Sequence, residues 1–261
     1  MSGLFRQVKS TDTFQNIAVV LVDIYNGGNI GSVARAMKNM GLSRLKLVNP
    51  FRYMDEECRA MARGAVDLLS ASRVFLSLDE ALAGENVVIG TTSGRDRREE
   101  STVKTPRDII PSILRYASSQ RVALVFGPER RGLSDAQLAR CQYVVSIPTD
   151  KEFPVLNLAQ SVMIIAYEIF TSNNTEIRPV VSQLASDDKR EQMFRQMEQV
   201  LVEVGFLSTR NPSHIMRAFR RVLERSSLTP RDVQIFRGAM SQLLWYVRKG
   251  WEFPTEKIRK P

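Results

Sequence analysis

Five short, continuously apolar segments are spaced along residues 16–170, each rich in Val, Ile and Leu. They are IAVVLV (17–22), LKLVN (45–49), NVVIGT (86–91), VALVFG (122–127) and YVVSIP (143–148). Strands that do not alternate with polar residues are buried on both faces, and the intervening segments carry apolar residues at helical spacing. The sequence therefore predicts an α/β domain whose mostly parallel sheet is covered by helices on both sides.

The pattern changes after residue 170. Residues 171–184 lose the strand and helix periodicity and are predicted to form a linker, whereas residues 185–249 have helical spacing throughout. We expect one domain over residues 1–170 and a basic helical extension over residues 185–261. Between Arg210 and Lys249 nine Lys or Arg residues stand against two acidic ones, which is +7 of the chain's net charge of +9.

Such a concentration of positive charge favours a polyanionic partner, above all a nucleic acid. A predicted helix over 214–227 has four arginines on one face. We interpret that face as an RNA-binding surface that contacts the phosphates of the RNA backbone; an ordinary solvated face is the alternative. The four are Arg217, Arg220, Arg221 and Arg225.

Several kinds of chemistry are excluded by composition. His214 is the one histidine, and Cys58 and Cys141 lie far apart without a CxxC pattern. A single chain of this sequence therefore builds no His-based triad, no HExxH zinc site and no Cys/His cluster, and we expect no metal. No apolar stretch approaches the length of a membrane span and no signal peptide is apparent, so a soluble protein of the reducing cytoplasm is expected.

Three of the predicted strands end in unusual loops. The first continues as YNGGNIGSVAR (25–35), the fourth as GPERRGL (127–133) and the fifth as IPTDKEFPVLN (147–157). Glycines at 27, 28 and 31 give GGxxG rather than GxGxxG, and the next strand ends in LVNP without a carboxylate, so a nicotinamide-dependent oxidoreductase is set aside. A P-loop is also absent, because no GK[ST] follows.

In order along the chain, these loops resemble the three motifs of the SpoU/TrmH methyltransferases, which belong to the SPOUT superfamily of S-adenosylmethionine-dependent RNA methyltransferases. The matching residues are Asn29-x-Gly31-x-x-x-Arg35, Gly127-x-Glu129-x-x-Gly132-Leu133, and Ile147-Pro148 followed by Leu156-Asn157-Leu158. The resemblance implies an α/β trefoil knot, a rare exception to ordinary chain topology. It also implies a homodimer whose active site is completed across the interface.

The resemblance further implies roles for individual residues. Those expected to bind S-adenosylmethionine are Thr92, Ser93, Gly94, Gly127, Ile147, Val155, Leu156 and Asn157. Those expected in the catalytic centre are Asn29, Arg35, Glu129 and Asn157. The segment TSGRDRR (92–98) is also similar to the family, and three of its arginines are expected to clamp RNA: Arg95, Arg97 and Arg98.

The helical tail resembles the extension of family members that methylate the ribose 2′-hydroxyl of nucleotide 32, the first of the tRNA anticodon loop. The resemblance leaves two alternatives open: another tRNA position or ribosomal RNA, and a knotted RNA-binding protein that does not catalyse. One departure from the family is Val155, because a serine usually precedes Leu-Asn in the third motif. A side-chain hydroxyl contact to the donor is lost there.

Methyl transfer suits a chain with so few classical catalytic groups, because a sulfonium methyl is already a strong electrophile. A guanidinium hardly ever loses its proton in a protein. We therefore expect Arg35 to hold a phosphate beside the target ribose and to stabilise the developing alkoxide, with Glu129 orienting it. The alternatives are an ordinary Arg–Glu salt bridge for this pair and a plain helix N-cap for Asn157.

Overall fold

The computed structural model describes residues 10–93, 103–172, 183–208 and 212–249. Its strands form one sheet in the order β3-β2-β1-β6-β4-β7-β5, and each neighbouring pair is parallel. The strands are β1 (Ile17–Val22), β2 (Arg44–Val48), β3 (Arg73–Phe75), β4 (Val87–Thr92), β5 (Val103–Lys104), β6 (Val122–Phe126) and β7 (Tyr143–Ser146).

All five predicted strands are present, and the prediction of an α/β fold with a parallel sheet is confirmed. The sequence did not reveal β3 and β5, which form the two edges of the sheet. They have three and two residues, and their side chains are half-buried or exposed. Short, partly exposed edge strands lack the apolar run that marks a central strand.

The helices of the described residues are α1 (Ser10–Gln15), α2 (Gly27–Asn39), α3 (Glu56–Met61), α4 (Val66–Ser70), α5 (Leu78–Leu82), α6 (Pro106–Ala117), α7 (Asp135–Leu138), α8 (Leu158–Ser172), α9 (Asp187–Glu203), α10 (Ser213–Glu224) and α11 (Pro230–Lys249). The two faces of the sheet carry separate cores. Val19 of β1 packs into a core with residues of α2, α6 and α8, and its neighbour Val20 packs on the other face with residues of α5 and α7. This two-sided burial explains the unbroken apolar strands.

Helix α2 begins at the first strand exit and follows the predicted stripe. Its Ile30, Val33, Ala34 and Met37 are buried, whereas Arg35 is exposed. The stripe fixes which way the helix faces, and it leaves the arginine of the first motif on the solvent side.

The C-terminal helices α9, α10 and α11 build a third core of their own. The segment TPRD (229–232) predicts a helix start with a capping box, and helix α11 begins with it: Thr229 N–H donates to Asp232 at 2.9 Å, and Asp232 N–H donates to the Thr229 hydroxyl at 3.3 Å. The helical spacing of residues 214–227 also predicts an apolar stripe on α10, formed by Ile215, Phe219, Val222 and Leu223, and this prediction was partly wrong. Val222 is 61% exposed, and the buried positions of α10 are Met216 and Glu224.

Glu224 is buried because it belongs to an ionic network that docks the C-terminal helices on the sheet domain. Arg140, which follows α7, contacts the carboxylates of Asp79 on α5 and Asp187 on α9, and its Nε lies 2.9 Å from Glu191. Desolvation acts to lower the pKa of Arg140, but the three carboxylates outweigh it and raise the pKa.

A second buried arginine extends the network. Arg190 lies 3.2 Å from Glu224 on α10, and its Nη1 donates to the carbonyl of Asn86, just before β4, at 2.9 Å. The Asn86 amide in turn donates to the Leu184 carbonyl at 2.8 Å. These buried bonds fix the position of the helical unit, because leaving any of the charged partners unpaired in the interior is costly.

Within the described ranges, no helix is both long enough and apolar enough to cross a bilayer. Cys58 and Cys141 are not joined in a disulfide bond. The expectation of a linker over 171–184 is not tested as a domain boundary: α8 continues to Ser172, and residues 173–182 lie outside the described residues.

Candidate active site

Four adjacent parallel strands, β1, β6, β4 and β7, deliver their carboxyl ends to the same edge of the sheet. The three motif loops therefore converge, as in other open parallel sheets that bind ligands beyond the strand ends. A cavity of about 300 Å³ opens between the exits of β4, β6 and β7. Its lining residues are Thr91, Thr92, Ser93, Phe126, Gly127, Pro128, Glu129, Arg130, Arg131, Gly132, Leu133, Val145, Ile147, Pro154, Val155, Leu156, Leu158 and Ser161.

The loop after β6 folds back sharply on itself beside this cavity. A Cβ at Gly127 would lie 2.3 Å from the carbonyl carbon of Gly132, so a side chain cannot be accommodated there without moving the backbone. Gly132 itself has a φ of +63°, in the left-handed region. Both glycines are therefore required by the shape of the loop, and this shape turns Glu129 towards the first motif.

A chain of side-chain hydrogen bonds joins the three motifs. The Asn29 amide donates from Nδ2 to Glu129 Oε1, and Asn29 Oδ1 accepts a 3.1 Å bond from Asn157 Nδ2. Asn29 and Glu129 are 100 positions apart in the sequence, and Asn29 and Asn157 are 128 positions apart. The structure thus brings Asn29, Glu129 and Asn157 into one polar cluster at the edge of the cavity.

Asn157 caps a helix and also belongs to the polar cluster. Its Oδ1 accepts the Ala159 N–H at 2.8 Å, which caps the start of α8, while its Nδ2 faces Asn29. The cap fixes the orientation of the Asn157 amide, because the oxygen must point to the helix. The cap and the polar cluster are therefore parts of the same arrangement.

Arg35 is not joined to this cluster. Its exposed guanidinium makes no ion pair with the part of the chain that the structure describes, and Glu129 contacts Asn29 instead. The expected Arg35–Glu129 contact is therefore not formed in this structure. The separation leaves the cation free to meet a group that the chain does not supply, such as a phosphate.

Of the residues expected to bind a methyl donor, Thr92, Ser93, Gly127, Ile147, Val155 and Leu156 line the cavity. Asn157 follows the last of these in sequence, and Gly94 lies outside the described residues, as do Arg95, Arg97 and Arg98. The sequence interpretation missed the apolar wall formed by Phe126, Leu133, Val145 and Leu158. Phe126 and Val145 were counted only as strand residues, and Leu133 and Leu158 were named as motif positions without a role in the wall.

Three of the four arginines expected on one face of α10 are exposed: Arg217, Arg221 and Arg225. The expectation was wrong for Arg220, which turns towards α9. Its guanidinium pairs with Glu191 and lies 4.4 Å from the centroid of the Phe194 ring. The sequence shows the spacing of arginines along a helix but not the carboxylate on the helix packed against it.

Comparison with known proteins agrees with this geometry. A family model described as the SpoU rRNA Methylase family matches residues 16–167, which contain all three motif loops and the cavity. The chain belongs to the SpoU methylase family. A second model, tRNA methyltransferase TrmJ, C-terminal domain, matches residues 188–251 of this SpoU methylase. Both the predicted family and the prediction of a methyltransferase enzyme are confirmed.

Relatives of this SpoU methylase match it over most of its length. The tRNA (cytidine/uridine/adenosine-2′-O-)-methyltransferase TrmJ of Pseudomonas aeruginosa (strain UCBPP-PA14) is 40% identical over 239 residues, 87% of this chain and 93% of that protein. TrmJ of Escherichia coli (strain K12) is 37% identical, over 88% of this chain and 95% of that protein. The crystal structure of TrmJ from Z. mobilis ZM4 matches with a TM-score of 0.77 and 32% sequence identity, over 87% of this chain and 98% of that chain.

Proposed function

We propose that this SpoU methylase transfers a methyl group from S-adenosylmethionine to the ribose 2′-hydroxyl of tRNA, at nucleotide 32 of the anticodon loop. Relatives that match about 90% of the chain are named as tRNA 2′-O-methyltransferases acting on cytidine and uridine, one of them also on adenosine. The observation that carries the proposal is the hydrogen-bonded cluster of Glu129, Asn29 and Asn157 beside a cavity formed by three strand exits.

The cavity fits the proposed donor in size and chemistry. Its apolar wall suits the adenine ring, and its loops present backbone N–H and C=O groups at the exits of β4, β6 and β7. Val155, 43% exposed, lines the cavity where the family usually has a serine, so hydrogen bonds to adenine at this position come from the backbone. Bound S-adenosylmethionine supplies the electrophilic methyl group.

The polar cluster positions the ribose oxygen. Because Asn157 is fixed by its cap, its N–H holds the oxygen of Asn29, and the N–H of Asn29 then faces Glu129. Within the described residues, Glu129 Oε2 makes no hydrogen bond, so it is available to accept the proton of the 2′-hydroxyl. Transfer of that proton to Glu129 would leave the ribose oxygen as the nucleophile for the methyl group that a bound S-adenosylmethionine would supply.

Arg35 binds the phosphate next to the target ribose. Its planar fork donates two parallel hydrogen bonds to phosphate oxygens and stabilises the negative charge that develops on the ribose oxygen. It needs no partner from its own chain for this role, in agreement with its exposed, unpaired state among the described residues.

The remaining parts of the proposal concern the RNA and the assembly. Residues 1–170 are the catalytic domain, and residues 185–261 are a basic extension that binds tRNA through Arg217, Arg221 and Arg225. Arg95, Arg97 and Arg98 also bind RNA. The enzyme is a homodimer of the cytoplasm and requires no metal.

Two experiments test the proposed function. Mapping of 2′-O-methyl groups on total tRNA from cells with and without the gene is expected to show loss at nucleotide 32. In vitro, Arg35→Lys keeps the charge but not the fork, and we expect methyl transfer to fall about tenfold while binding of S-adenosylmethionine by calorimetry is unchanged. Lys38→Arg, one turn further along α2, is the matched control.

An unchanged rate for Arg35→Lys would contradict the role of Arg35. Loss of a methyl group at another tRNA position, or in ribosomal RNA, would replace the proposed target by that one. If the purified chain bound RNA but neither bound S-adenosylmethionine nor methylated any RNA, the non-catalytic alternative would be the correct one.

A further inference from the structure

Two aromatic rings are stacked on the surface beside the first motif. The rings of Tyr25 and Phe51 have centroids 4.5 Å apart and planes inclined by 13°, and the residues are 61% and 65% exposed. The other ring pairs in the described part of the chain are tilted or edge-on. A flat, parallel pair of exposed rings presents a π-face on which another flat ring can stack.

The two rings are held by the backbone beneath them. Tyr25 follows Ile24, which is buried, and the Ile24 carbonyl accepts the Phe51 N–H at 3.0 Å. The two loops also touch at Gly27, where an added Cβ would lie 2.6 Å from the Arg52 carbonyl oxygen. The loop after β1 and the loop after β2 are therefore locked together, and the stacked rings keep a fixed position without being buried.

This position is continuous with the proposed catalytic cluster. Asn26, the residue after Tyr25, caps α2 by accepting the Asn29 N–H at 3.1 Å. Asn29 then contacts Glu129 and Asn157. Only three residues thus lie between Tyr25 and Asn29, whose amide positions the reacting ribose, and hydrogen bonds fix both ends of this segment.

We propose that Tyr25 and Phe51 form a platform on which a base of the RNA next to the methylated nucleotide stacks. The inference rests on the proposed function in taking RNA as the substrate. Bases in single-stranded loops stack on aromatic side chains, and this stacking accepts any base because every base has a π-face. Arg52, exposed and without an ion pair among the described residues, places a cation for the backbone phosphate beside the ring of Phe51.

The platform positions RNA and does not take part in methyl transfer. Stacking of one base contributes an affinity that truncation to alanine lowers about tenfold. We therefore expect Phe51→Ala and Tyr25→Ala each to raise KM for tRNA about tenfold, with kcat and S-adenosylmethionine affinity close to those of the parent. Phe51→Trp keeps a stacking face and is expected to keep the parent KM. Tyr167→Ala removes another exposed ring, on α8, and is the matched control.

A second measurement reports stacking without catalysis. A tRNA transcript with 2-aminopurine on either side of nucleotide 32 is titrated with each protein, and the fluorescence of the base is recorded. We expect the parent and Phe51→Trp to quench one of the two labels, and Phe51→Ala and Tyr25→Ala to quench neither. Because this readout needs no methyl transfer, it separates the platform from the proposed activity.

The outcomes are distinct. If the parent methylates tRNA but the alanine variants keep its KM and its quenching, the platform is refuted and the proposed function stands. If the variants change the sedimentation coefficient of the free protein instead, the rings contact a second copy of the chain, and the platform is again refuted. If the parent quenches the label through Phe51 yet methylates no RNA, the platform stands and the proposed activity falls.

Discussion

Near neutral pH, the buried carboxylate of Asp187 destabilises the folded protein. It lies in the ionic network between α9 and the sheet domain and is 1% exposed. Desolvation by this burial raises its pKa from the usual 3.8 to about 7, although Arg140 and Arg190 act in the opposite direction. The network joins four carboxylates to three guanidinium groups, so one carboxylate has no matching charge.

The direction of the pH effect follows from this raised pKa. Below about pH 4, Asp187 is protonated in both the folded and the unfolded chain. Between pH 4 and 7 the folded state keeps a proton that the unfolded state has lost, so the free energy of unfolding falls as the pH rises. A difference of about three pKa units corresponds to about 4 kcal/mol of stability, present at pH 4 and lost above pH 7.

Asp187→Asn removes this titration and keeps the shape of the side chain. We expect the stability of the variant, relative to the parent, to rise by about 4 kcal/mol between pH 4 and pH 8. Urea denaturation at a series of pH values measures it, followed by tryptophan fluorescence. Both tryptophans, Trp245 and Trp251, belong to the C-terminal part of the chain, so the signal reports the helical unit that the network docks.

The neighbouring Asp188 gives a matched control of opposite sign. Partial burial acts to raise its pKa, but hydrogen bonds from Ser186 and from the Gly84 N–H outweigh it and lower the pKa. The stability that Asp188 contributes is therefore lost only as the pH falls below its usual pKa of 3.8, so the difference between Asp188→Asn and the parent should stay nearly constant between pH 5 and pH 8. If the difference between Asp187→Asn and the parent were the same at pH 4 and pH 8, the reasoning from burial would be refuted.

Two further predictions concern the site and the RNA surface. Asn157→Ala should cost about 1 kcal/mol of stability through the lost helix cap, whereas Asn157→Asp should restore the Tm but not methyl transfer, since it offers no N–H to Asn29. If Asn157→Asp restored methyl transfer as fully as the Tm, the N–H that Asn157 donates to Asn29 would not be needed for catalysis, and the prediction would be refuted. Arg220→Ala should destabilise the fold by about 2 kcal/mol, because Glu191 loses one of its two arginine partners and keeps only Arg140. Arg221→Ala should leave the Tm unchanged and lower the salt dependence of tRNA binding, measured by filter binding.

The local elements of this protein could be predicted because their signals are local. A buried parallel strand needs an unbroken run such as IAVVLV, and a capped helix needs a residue pair such as Thr229 and Asp232 at the right spacing. Spacing within one segment carries this information. The motif residues came instead from the resemblance to a known family, and the structure shows why two of their glycines are needed: Gly127 leaves no room for a side chain, and Gly132 has a left-handed backbone.

What the sequence by itself determined is thus the α/β class, the parallel strands and the family of the three strand exits. The tertiary structure decided the partner of each polar side chain: Glu129 contacts Asn29 and not Arg35, and Arg220 contacts Glu191 and not solvent. It also brought Tyr25 onto Phe51. These pairings depend on which elements pack together, and periodicity along one element shows which residues share a face but not what that face meets.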